Sequence, residues 1–201
     1  MGRQARLFVV SGPSGAGKGT LLKRVREERP ELHLTVSATT RDPREGEVDG
    51  VSYHFMGENE FLQLVNEDAF LEWAEVHGHH YGTLCREVDD SISVGASVIL
   101  EIDVQGAFNV RRQRPDAVLV FVEPPSAEEL ERRLRSRGTE DEDQILLRLS
   151  NARKEMELAQ RYDERIVNDD LETAVAQLVA LIDRYEYEGG NTHHGNHEPR
   201  D

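Results

Sequence analysis

The sequence predicts an α/β fold: a core built on a parallel sheet, an inserted subdomain with a mixed sheet, and a helical lid. Three observations predict it. Residues 7–10 form a short apolar run, typical of a buried strand, and a glycine-rich loop with a lysine follows at once. Strand-like and helix-like segments alternate along most of the chain, as in parallel α/β proteins. Between residues 37 and 83, closely spaced strands with one helix indicate the insertion.

Length, charge and cysteine content limit the classes of function. The 201 residues suffice for one substantial core with smaller subdomains. A net charge of -15 argues against nucleic acid as a partner, which needs a broad basic face, but not against small phosphorylated ligands. No apolar run approaches the roughly 18 residues of a membrane span, so no membrane partner is expected. The single cysteine, Cys85, favours a reducing, cytoplasmic location.

The loop at residues 12–18, GPSGAGK, leads from the first strand into a helix expected at residues 18–28. Its glycines let backbone N–H groups converge on anionic oxygens, and Lys18 can reach the β- and γ-phosphates of a nucleotide. A tight turn would account for the glycines but not for the lysine. The motif usually continues with a Ser or Thr that binds Mg²⁺; here Gly19 follows, and Thr20 is the nearest hydroxyl. No direct side-chain ligand for the metal is therefore assigned, with Thr20 as the one candidate.

The insertion begins with a polar, turn-rich segment, residues 37–50, that carries Arg41 and Arg44. Loop arginines are commonly solvated, but a pair that follows a phosphate loop also fits a second phosphate site. Three histidines in a turn at residues 77–80 suggest a metal site that no neighbouring Cys or Asp supports. The other expected elements of this half are strands at 32–36, 51–55 and 70–76, and a helix at 58–67.

The second half returns to the core pattern. Residues 97–103 are expected to form a buried strand that ends in two carboxylates, Glu101 and Asp103. Ligands of parallel sheets bind at the carboxyl ends of strands, so both are candidate site residues. The remaining expected elements are helices at 84–95, 105–112 and 171–187, and strands at 117–122 and 165–168.

Two capping boxes predict a pair of helices with many arginines. The boxes begin at Ser126 and Thr139, each with a glutamate three residues later. The second helix would carry Ile145, Leu149, Ala152 and Met156 on one face. We expect residues 126–160 to form a mobile lid. The last residues, 189–201, lack apolar side chains and are expected to be a disordered tail.

Taken together, eight separated stretches resemble the guanylate kinase family, P-loop enzymes that transfer phosphate from ATP to GMP. They are SGPSGAGKGT, SATTRDPREGE, DGVSYHF, FLEWAEV, YGT, EIDVQGA, RLRSRGTE and IVNDD. The resemblance implies a P-loop NTPase core of residues 5–36, 96–125 and 161–188, a GMP-binding subdomain of residues 37–95, and the lid. It also implies Mg²⁺ with ATP as the cofactor, and ATP and GMP as the small-molecule substrates. The oligomeric state is left open.

The resemblance implies the site residues as well. Those expected to bind ATP are Gly12, Pro13, Ser14, Gly15, Ala16, Gly17, Lys18, Gly19, Thr20, Arg133, Arg137 and Asn168. Those expected to bind GMP are Ser37, Arg41, Arg44, Tyr53, Glu72, Tyr81, Thr83, Glu101, Asp103 and Arg148. The expected catalytic set is Lys18, Arg41, Arg137, Arg148 and Asp103. Two residues depart from the common family pattern: Gly19 stands for a Ser, and Glu101 for an Asp.

The role implied for Glu72 makes chemical sense. Guanine presents N1–H and a 2-amino group as adjacent donors, and an ionised carboxylate accepts both. Adenine would leave the carboxylate unpaired, which discriminates by up to ~10⁴-fold. An arbitrary strand glutamate would instead face solvent. The expected reaction is direct in-line phosphoryl transfer from ATP to GMP, and to dGMP, in purine nucleotide metabolism.

Two alternatives remain open from the sequence. One is another small-molecule kinase on the same framework, such as a ribose-bisphosphate kinase, against which Ser37, Glu72 and Thr83 argue. The other is a non-catalytic scaffold domain that binds phosphorylated peptides, against which the complete phosphate loop with Lys18 argues.

Overall fold

A computed structural model of the chain describes residues 2–76, 78–136 and 141–187. Its helices are α1 (Lys18–Glu28), α2 (Glu58–Asn66), α3 (Cys85–Ser93), α4 (Val104–Gln113), α5 (Ala127–Ser136), α6 (Glu142–Leu158) and α7 (Leu171–Tyr187), with a 3₁₀ turn at Ala159–Arg161. Its strands are β1 (Leu7–Ser11), β2 (His33–Leu34), β3 (Ala38–Thr39), β4 (His54–Phe55), β5 (Phe70–Val76), β6 (His79–Leu84), β7 (Val98–Glu101), β8 (Val118–Glu123) and β9 (Glu164–Val167).

The larger sheet is parallel and has β1 at its centre. Its strand order is β2-β7-β1-β8-β9, and every pairing in it is parallel. Parallel strands need crossover connections, which the helices provide. The carboxyl ends of β1, β7 and β8 therefore lie side by side, so the chain after each of them reaches one edge of the sheet.

Alternating side chains of the central strands fill two apolar cores, one on each face of this sheet. Phe8 and Val10 of β1 face α1 and α7, where Leu22 and Leu178 are buried beside them. Val9, which lies between them, faces α4 instead, in a cluster with Val110. Burial on both faces accounts for the continuous apolar runs of these strands. In the described residues, no helix is long and apolar enough to cross a membrane.

The smaller sheet comes from the stretch between β2 and β7. Its order is β4-β3-β6-β5, with β3 parallel to β4 and antiparallel to β6, which is itself antiparallel to β5. Phe61 of α2 stacks on Phe70 of β5 at 4.3 Å between ring centroids and closes one face of the sheet. The predictions of an α/β chain with a parallel sheet and a second, mixed sheet are thus confirmed.

Short strands account for most differences from the predicted elements. The strand expected at 51–55 is reduced to β4, because Val51 is 71% exposed and the preceding residues turn back on themselves, with Gly50 N donating to Tyr53 O. The polar segment after residue 37 contains β3, which the sequence pattern missed. A strand of two residues is too short to show an alternating apolar pattern, and β3 forms because β4 and β6 pair with it on either side.

The start of α6 also differs from the prediction. The N-cap is Asp141, whose carboxylate accepts from Gln144 N at 2.9 Å while the Gln144 side chain accepts from Asp141 N at 3.2 Å. Asp caps as well as Thr, and Gln replaces Glu in the box, so the box predicted at Thr139 moves two residues along the chain. Thr139 itself and the predicted tail lie outside the described residues.

Candidate active site

The loop between β1 and α1 requires glycine at several positions. Gly12, Gly15 and Gly17 have φ of +147°, +92° and +86°, values that L side chains avoid. A Cβ on Gly12 would lie 2.1 Å from Val122 O. A Cβ on Gly17 would lie 2.5 Å from the side-chain nitrogen of Asn168. No side chain caps the first N–H groups of α1, so the loop presents backbone donors at a helix N-terminus, which suits phosphate.

Two cations meet over this loop. The Nζ of Lys18, the first residue of α1, donates to Gly12 O at 2.6 Å and Pro13 O at 3.2 Å. From α6, Arg148 donates to Ser14 Oγ at 3.1 Å. Because one cation belongs to the loop and the other to a separate helix, both can reach phosphate oxygens from different directions.

Arg133 and Asn168 lie on another side of the loop. Asn168 donates from its side-chain amide to Ala16 O at 2.7 Å, a buried bond that holds the loop in place. Arg133 donates to Asn168 O at 3.0 Å and to Glu129 at 2.8 Å. The structure thus gives Asn168 a supporting role that the sequence did not suggest. Arg137, the third expected lid arginine, lies outside the described residues.

A cavity of about 560 Å³ opens beside the loop and reaches the second sheet. Ser14 and Lys18 line it from the loop, whereas Ser37 and Tyr53 line it from the side of the smaller sheet. Some residues expected to bind ATP and some expected to bind GMP therefore line one cavity, whereas Arg41, Glu72 and Thr83 are not part of its wall.

Arg41 lies in a cluster of groups that suit an anion. Its guanidinium donates to both carboxylate oxygens of Glu47, at 2.9 and 3.0 Å. This interaction and, to a smaller extent, a hydrogen bond with Tyr81 raise the pKa of Arg41. The guanidinium lies 5.4 Å from the ring centroid of Tyr53, whose ring meets that of Tyr81 edge to face at 5.9 Å. The side chain of Arg44 is exposed, and its backbone N donates to Glu47 at 2.8 Å. Arg44 therefore lies at the edge of this cluster.

Glu72, Thr83 and Asp103 form a second cluster. Glu72 and Thr83 are paired across β5 and β6, and Thr83 Oγ1 donates to Glu72 Oε1 at 2.9 Å. Burial raises the pKa of Glu72, the Thr83 hydrogen bond lowers it, and the charge of Asp103 raises it again. Asp103 caps α4 by accepting from Gly106 N at 2.7 Å. A carboxylate at the smaller sheet thus faces a carboxylate at the carboxyl end of β7.

Glu101, the last residue of β7, lies on the donor side of the cavity. Its two carboxylate oxygens lie 3.8 and 3.9 Å from the position that a Cβ on Gly19 would take. The side chain is open to the cavity, yet surrounding protein raises the pKa of Glu101, while Lys18 lowers it. Thr20, one residue further along α1, is exposed and is not part of the cavity wall.

The structure adds two site residues that sequence reasoning missed. Glu155 of α6 lines the cavity; burial raises its pKa and Lys18 lowers it. It lies seven residues after Arg148, which is two helical turns, so a search of that helix face could have found it. Glu47 anchors Arg41, and only its opposite charge and nearness in sequence hinted at this.

The cavity suits a metal ion that arrives bound to phosphate. In the part of the chain that the structure describes, no three His, Cys, Asp or Glu side chains gather to hold a metal by themselves. The wall does carry the carboxylates of Glu101, Asp103 and Glu155. Mg²⁺ prefers hard oxygen ligands and is commonly bound by one or two carboxylates together with substrate phosphates. The donor set therefore fits Mg²⁺ with a polyphosphate.

The arrangement as a whole offers two anion sites. The phosphate loop with Lys18 and Arg148 forms one, and Arg41 with its tyrosines forms another, which adjoins the cavity through Tyr53. Two neighbouring anion sites suit the movement of a phosphoryl group between ligands, which depends on positioning and charge neutralisation.

Comparisons with known proteins agree with this geometry. A family model described as Guanylate kinase matches residues 4–185. The chain is 51% identical over 177 residues to a guanylate kinase of Synechococcus, covering 88% of this chain and 93% of the relative. It is 47% identical over 180 residues to that of Caldanaerobacter subterraneus, covering 90% and 87%. The crystal structure of guanylate kinase from Anaplasma phagocytophilum superposes with a TM-score of 0.71 at 33% identity, covering 92% of this chain and 88% of that one.

Proposed function

The chain belongs to the guanylate kinase family, and on that premise we propose that it transfers the γ-phosphoryl group of ATP to GMP, giving ADP and GDP. The contacts that support the proposal are with the guanine base and the phosphates and not with the sugar, so dGMP is expected to be an acceptor as well. The reaction belongs to purine nucleotide metabolism, and we propose the cytoplasm as its location.

The carboxylate of Glu72 is the observation that carries this proposal. Thr83 donates to one of its oxygens at 2.9 Å, which restrains the side chain and leaves the other oxygen available. An ionised carboxylate in this position can accept from N1–H and the 2-amino group of guanine at once. Adenine, uracil or a bare sugar offers no such pair of donors, so the buried carboxylate would lose its hydrogen bonds with water and gain none.

The Arg41 cluster supports binding of the GMP phosphate. In the proposed complex, Arg41 turns from Glu47 towards the phosphate, and Tyr53 and Tyr81 add phenolic donors. Arg44, exposed at the cluster's edge, closes on the phosphate from solvent. An arginine pair suits this ligand because guanidinium groups bind phosphate oxygens in bidentate fashion.

The phosphate loop, with residues 12–20, and the lid arginines support binding of ATP. Backbone N–H groups of the loop bind the β- and γ-phosphates, and Lys18 and Arg148 neutralise the transferring group. Arg133 and Asn168 lie together beside the loop, and we assign them to the nucleoside end of ATP. We assign Arg137 to the same group of phosphate contacts from the resemblance alone.

Transfer itself needs little covalent help from the protein. The two phosphates must lie in line, and closing the insertion and the lid over them excludes water. Bound Mg²⁺ would supply charge neutralisation at the phosphates, and a carboxylate of the cavity wall would hold it there. Asp103 is fixed by its cap on α4 and orients groups around the acceptor. No general base is required.

The proposed division of the chain follows from these roles. We propose residues 5–36, 96–125 and 161–188 as the core that holds ATP, residues 37–95 as the GMP-binding subdomain, and residues 126–160 as the lid.

Replacing Glu72 by Gln tests the proposal. The amide keeps the shape of the side chain but presents a donor to one of guanine's donors, so kcat/KM for GMP should fall by at least ~100-fold. Binding of ATP should change less than about threefold. Glu75→Gln is the matched control, since this exposed glutamate lies on the same strand. Equal losses for GMP and ATP in Glu72→Gln would show that Glu72 does not read the base.

A further inference from the structure

The residue after the loop lysine lacks the hydroxyl that phosphate loops ordinarily use to bind Mg²⁺. Gly19 occupies that position, and the next hydroxyl, Thr20, is turned about 100° away around α1 and is exposed. Thr20 is also absent from the cavity wall. The metal that accompanies the donor nucleotide therefore needs a protein oxygen from elsewhere.

The carboxylate of Glu101 lies where that oxygen is missing. Its two oxygens are 3.8 and 3.9 Å from the position of a Cβ on Gly19, and a serine hydroxyl would lie one bond beyond that Cβ. The strand register holds Glu101 there, because β7 pairs with β1 and places Glu101 beside Val10, two residues before Gly12 of the loop. A glutamate also reaches one methylene further than an aspartate from the same strand end.

The other carboxylates of the cavity are less suited to this task. Asp103 accepts the N–H of Gly106 and caps α4, so its orientation is fixed by the helix. Glu155 comes from α6, whose position relative to the loop changes if the lid moves. Glu101 alone of the three adjoins Gly19, and its charge is felt by Lys18 of the same loop.

We propose that Glu101 replaces the missing hydroxyl: its carboxylate holds the Mg²⁺ of the donor nucleotide, and Gly19 leaves the space that this contact needs. The proposal rests on ATP being the donor, as proposed above, but it moves Glu101 from the GMP side, where the resemblance places it, to the metal. Residues 19 and 101 then act as one unit. A serine at position 19 with an aspartate at 101, or a glycine at 19 with a glutamate at 101, supplies a protein oxygen to the same metal.

Metal-dependent nucleotide binding without any acceptor tests the proposal. The β,γ-imido analogue of ATP is titrated into the full chain with Mn²⁺ and, separately, with EDTA. Calorimetry gives the ratio of the two affinities, and the paramagnetic resonance of free Mn²⁺ gives the metal's own affinity. Glu101→Gln and Glu101→Ala should each lower that ratio by about 10-fold or more, as loss of a metal contact does. Affinity for the metal-free analogue, which reports an intact loop, should change less than threefold.

Two further variants separate Glu101 from its neighbours. Thr20→Val tests the adjacent hydroxyl, and Glu155→Gln removes a carboxylate that α6 contributes to the cavity wall. Each should leave the ratio within threefold of the parent value. A 10-fold loss in either one, with Glu101→Gln unaffected, would overturn the proposal. An equal loss in Glu101→Gln and Glu155→Gln would also overturn it, because only the cavity's total charge would then matter.

The partnership of the two positions is tested by a double-mutant cycle. Glu101→Asp should lower the ratio on its own, and adding Gly19→Ser to it should restore the ratio to within threefold of the parent. If the fold-change in the ratio for the double variant equals the product of the two single fold-changes, the partnership is contradicted. Because GMP is absent throughout, these results stand whether or not GMP proves to be the acceptor, and failure of either proposal can be told from failure of the other.

Discussion

Glu72 is a single carboxylate whose pKa is set by burial and by two neighbours. Burial and Asp103 raise its pKa, and the hydroxyl of Thr83 lowers it. Guanine recognition requires the ionised form, which accepts two hydrogen bonds. Use of GMP should therefore fall as the pH drops through the pKa of Glu72, and this pKa lies above the ordinary glutamate value.

Thr83→Val should move this fall to higher pH. Without the hydroxyl, the larger of the two Thr83 hydrogen bonds that lower the pKa of Glu72 is gone, so protonation begins at a higher pH. The measurement is the acid limb of kcat/KM for GMP, compared with that for ATP in the same variant. The phosphate of GMP titrates in the same way in assays of the parent chain and of Thr83→Val, so its contribution cancels when the two acid limbs are compared. An acid limb that stays in place, or moves to lower pH, would contradict the assigned hydrogen bond.

At the scale of elements, the phosphate loop depends on contacts as well as on glycine's conformational freedom. Gly17 and Gly46 have nearly the same φ, +86° and +85°, but differ in surroundings. A Cβ on Gly17 would meet the side-chain nitrogen of Asn168 at 2.5 Å, whereas nothing lies within 4 Å of one on Gly46. The pair therefore separates backbone strain from packing.

Gly17→Ala should destabilise the protein more than Gly46→Ala. Both pay about 1–2 kcal/mol for a left-handed alanine. Gly17→Ala also displaces the buried amide that donates to Ala16 O, which adds about 1–3 kcal/mol. Urea unfolding gives both free energies. Equal losses would mean that the loop tolerates the Cβ by moving, and that Asn168 does not support it.

Elements with a strong period of their own were predictable from the sequence. Helices α1 and α7 begin and end at the predicted residues, and so does strand β5. Their apolar patterns extend over enough residues to determine both type and length. Strand β3 was missed and β4 was predicted too long, because such two-residue strands exist only through pairing with neighbours distant in sequence.

For the site, the sequence indicated the chemistry of individual residues better than it indicated which residues contact each other. The loop with Lys18 was evident from spacing and composition alone. The roles expected of Glu72 and Arg41 came from a resemblance, and they stay proposals. The carboxylate beside Gly19, the anchor at Glu47 and the cavity position of Glu155 depend on which surfaces face each other after folding, so the local signals for them were too weak to assign their contacts.

At the scale of the whole molecule, an acidic chain places a few of its cations beside one cavity. The chain carries a net charge of -15, yet Lys18 and Arg148 converge on the phosphate loop, and Arg41 belongs to the adjoining cluster. The order of the parallel sheet makes this convergence possible, since the loop after β1 and the carboxylates after β7 leave neighbouring strand ends.

The molecule also ties the two ends of its described chain to the core. Glu186, near the end of α7, is buried and accepts from Arg3 at 2.8 Å and from Arg29 at 2.9 Å. Burial opposes the charge of Glu186, but these partners and Ser97 outweigh it and lower its pKa. None of these four residues lines the cavity, so the network supports the frame of the molecule and not the site.

Transfer of the γ-phosphoryl group to a set of acceptors tests the central claim most directly. ATP labelled at the γ-phosphate is offered with Mg²⁺ and GMP, dGMP, AMP, UMP or ribose 1,5-bisphosphate, and the labelled products are separated. The account predicts label in GDP and dGDP, with kcat/KM for the other acceptors lower by at least ~10³-fold, and no transfer by Lys18→Ala. Preference for AMP, UMP or the sugar bisphosphate, or turnover that survives Lys18→Ala, would contradict it.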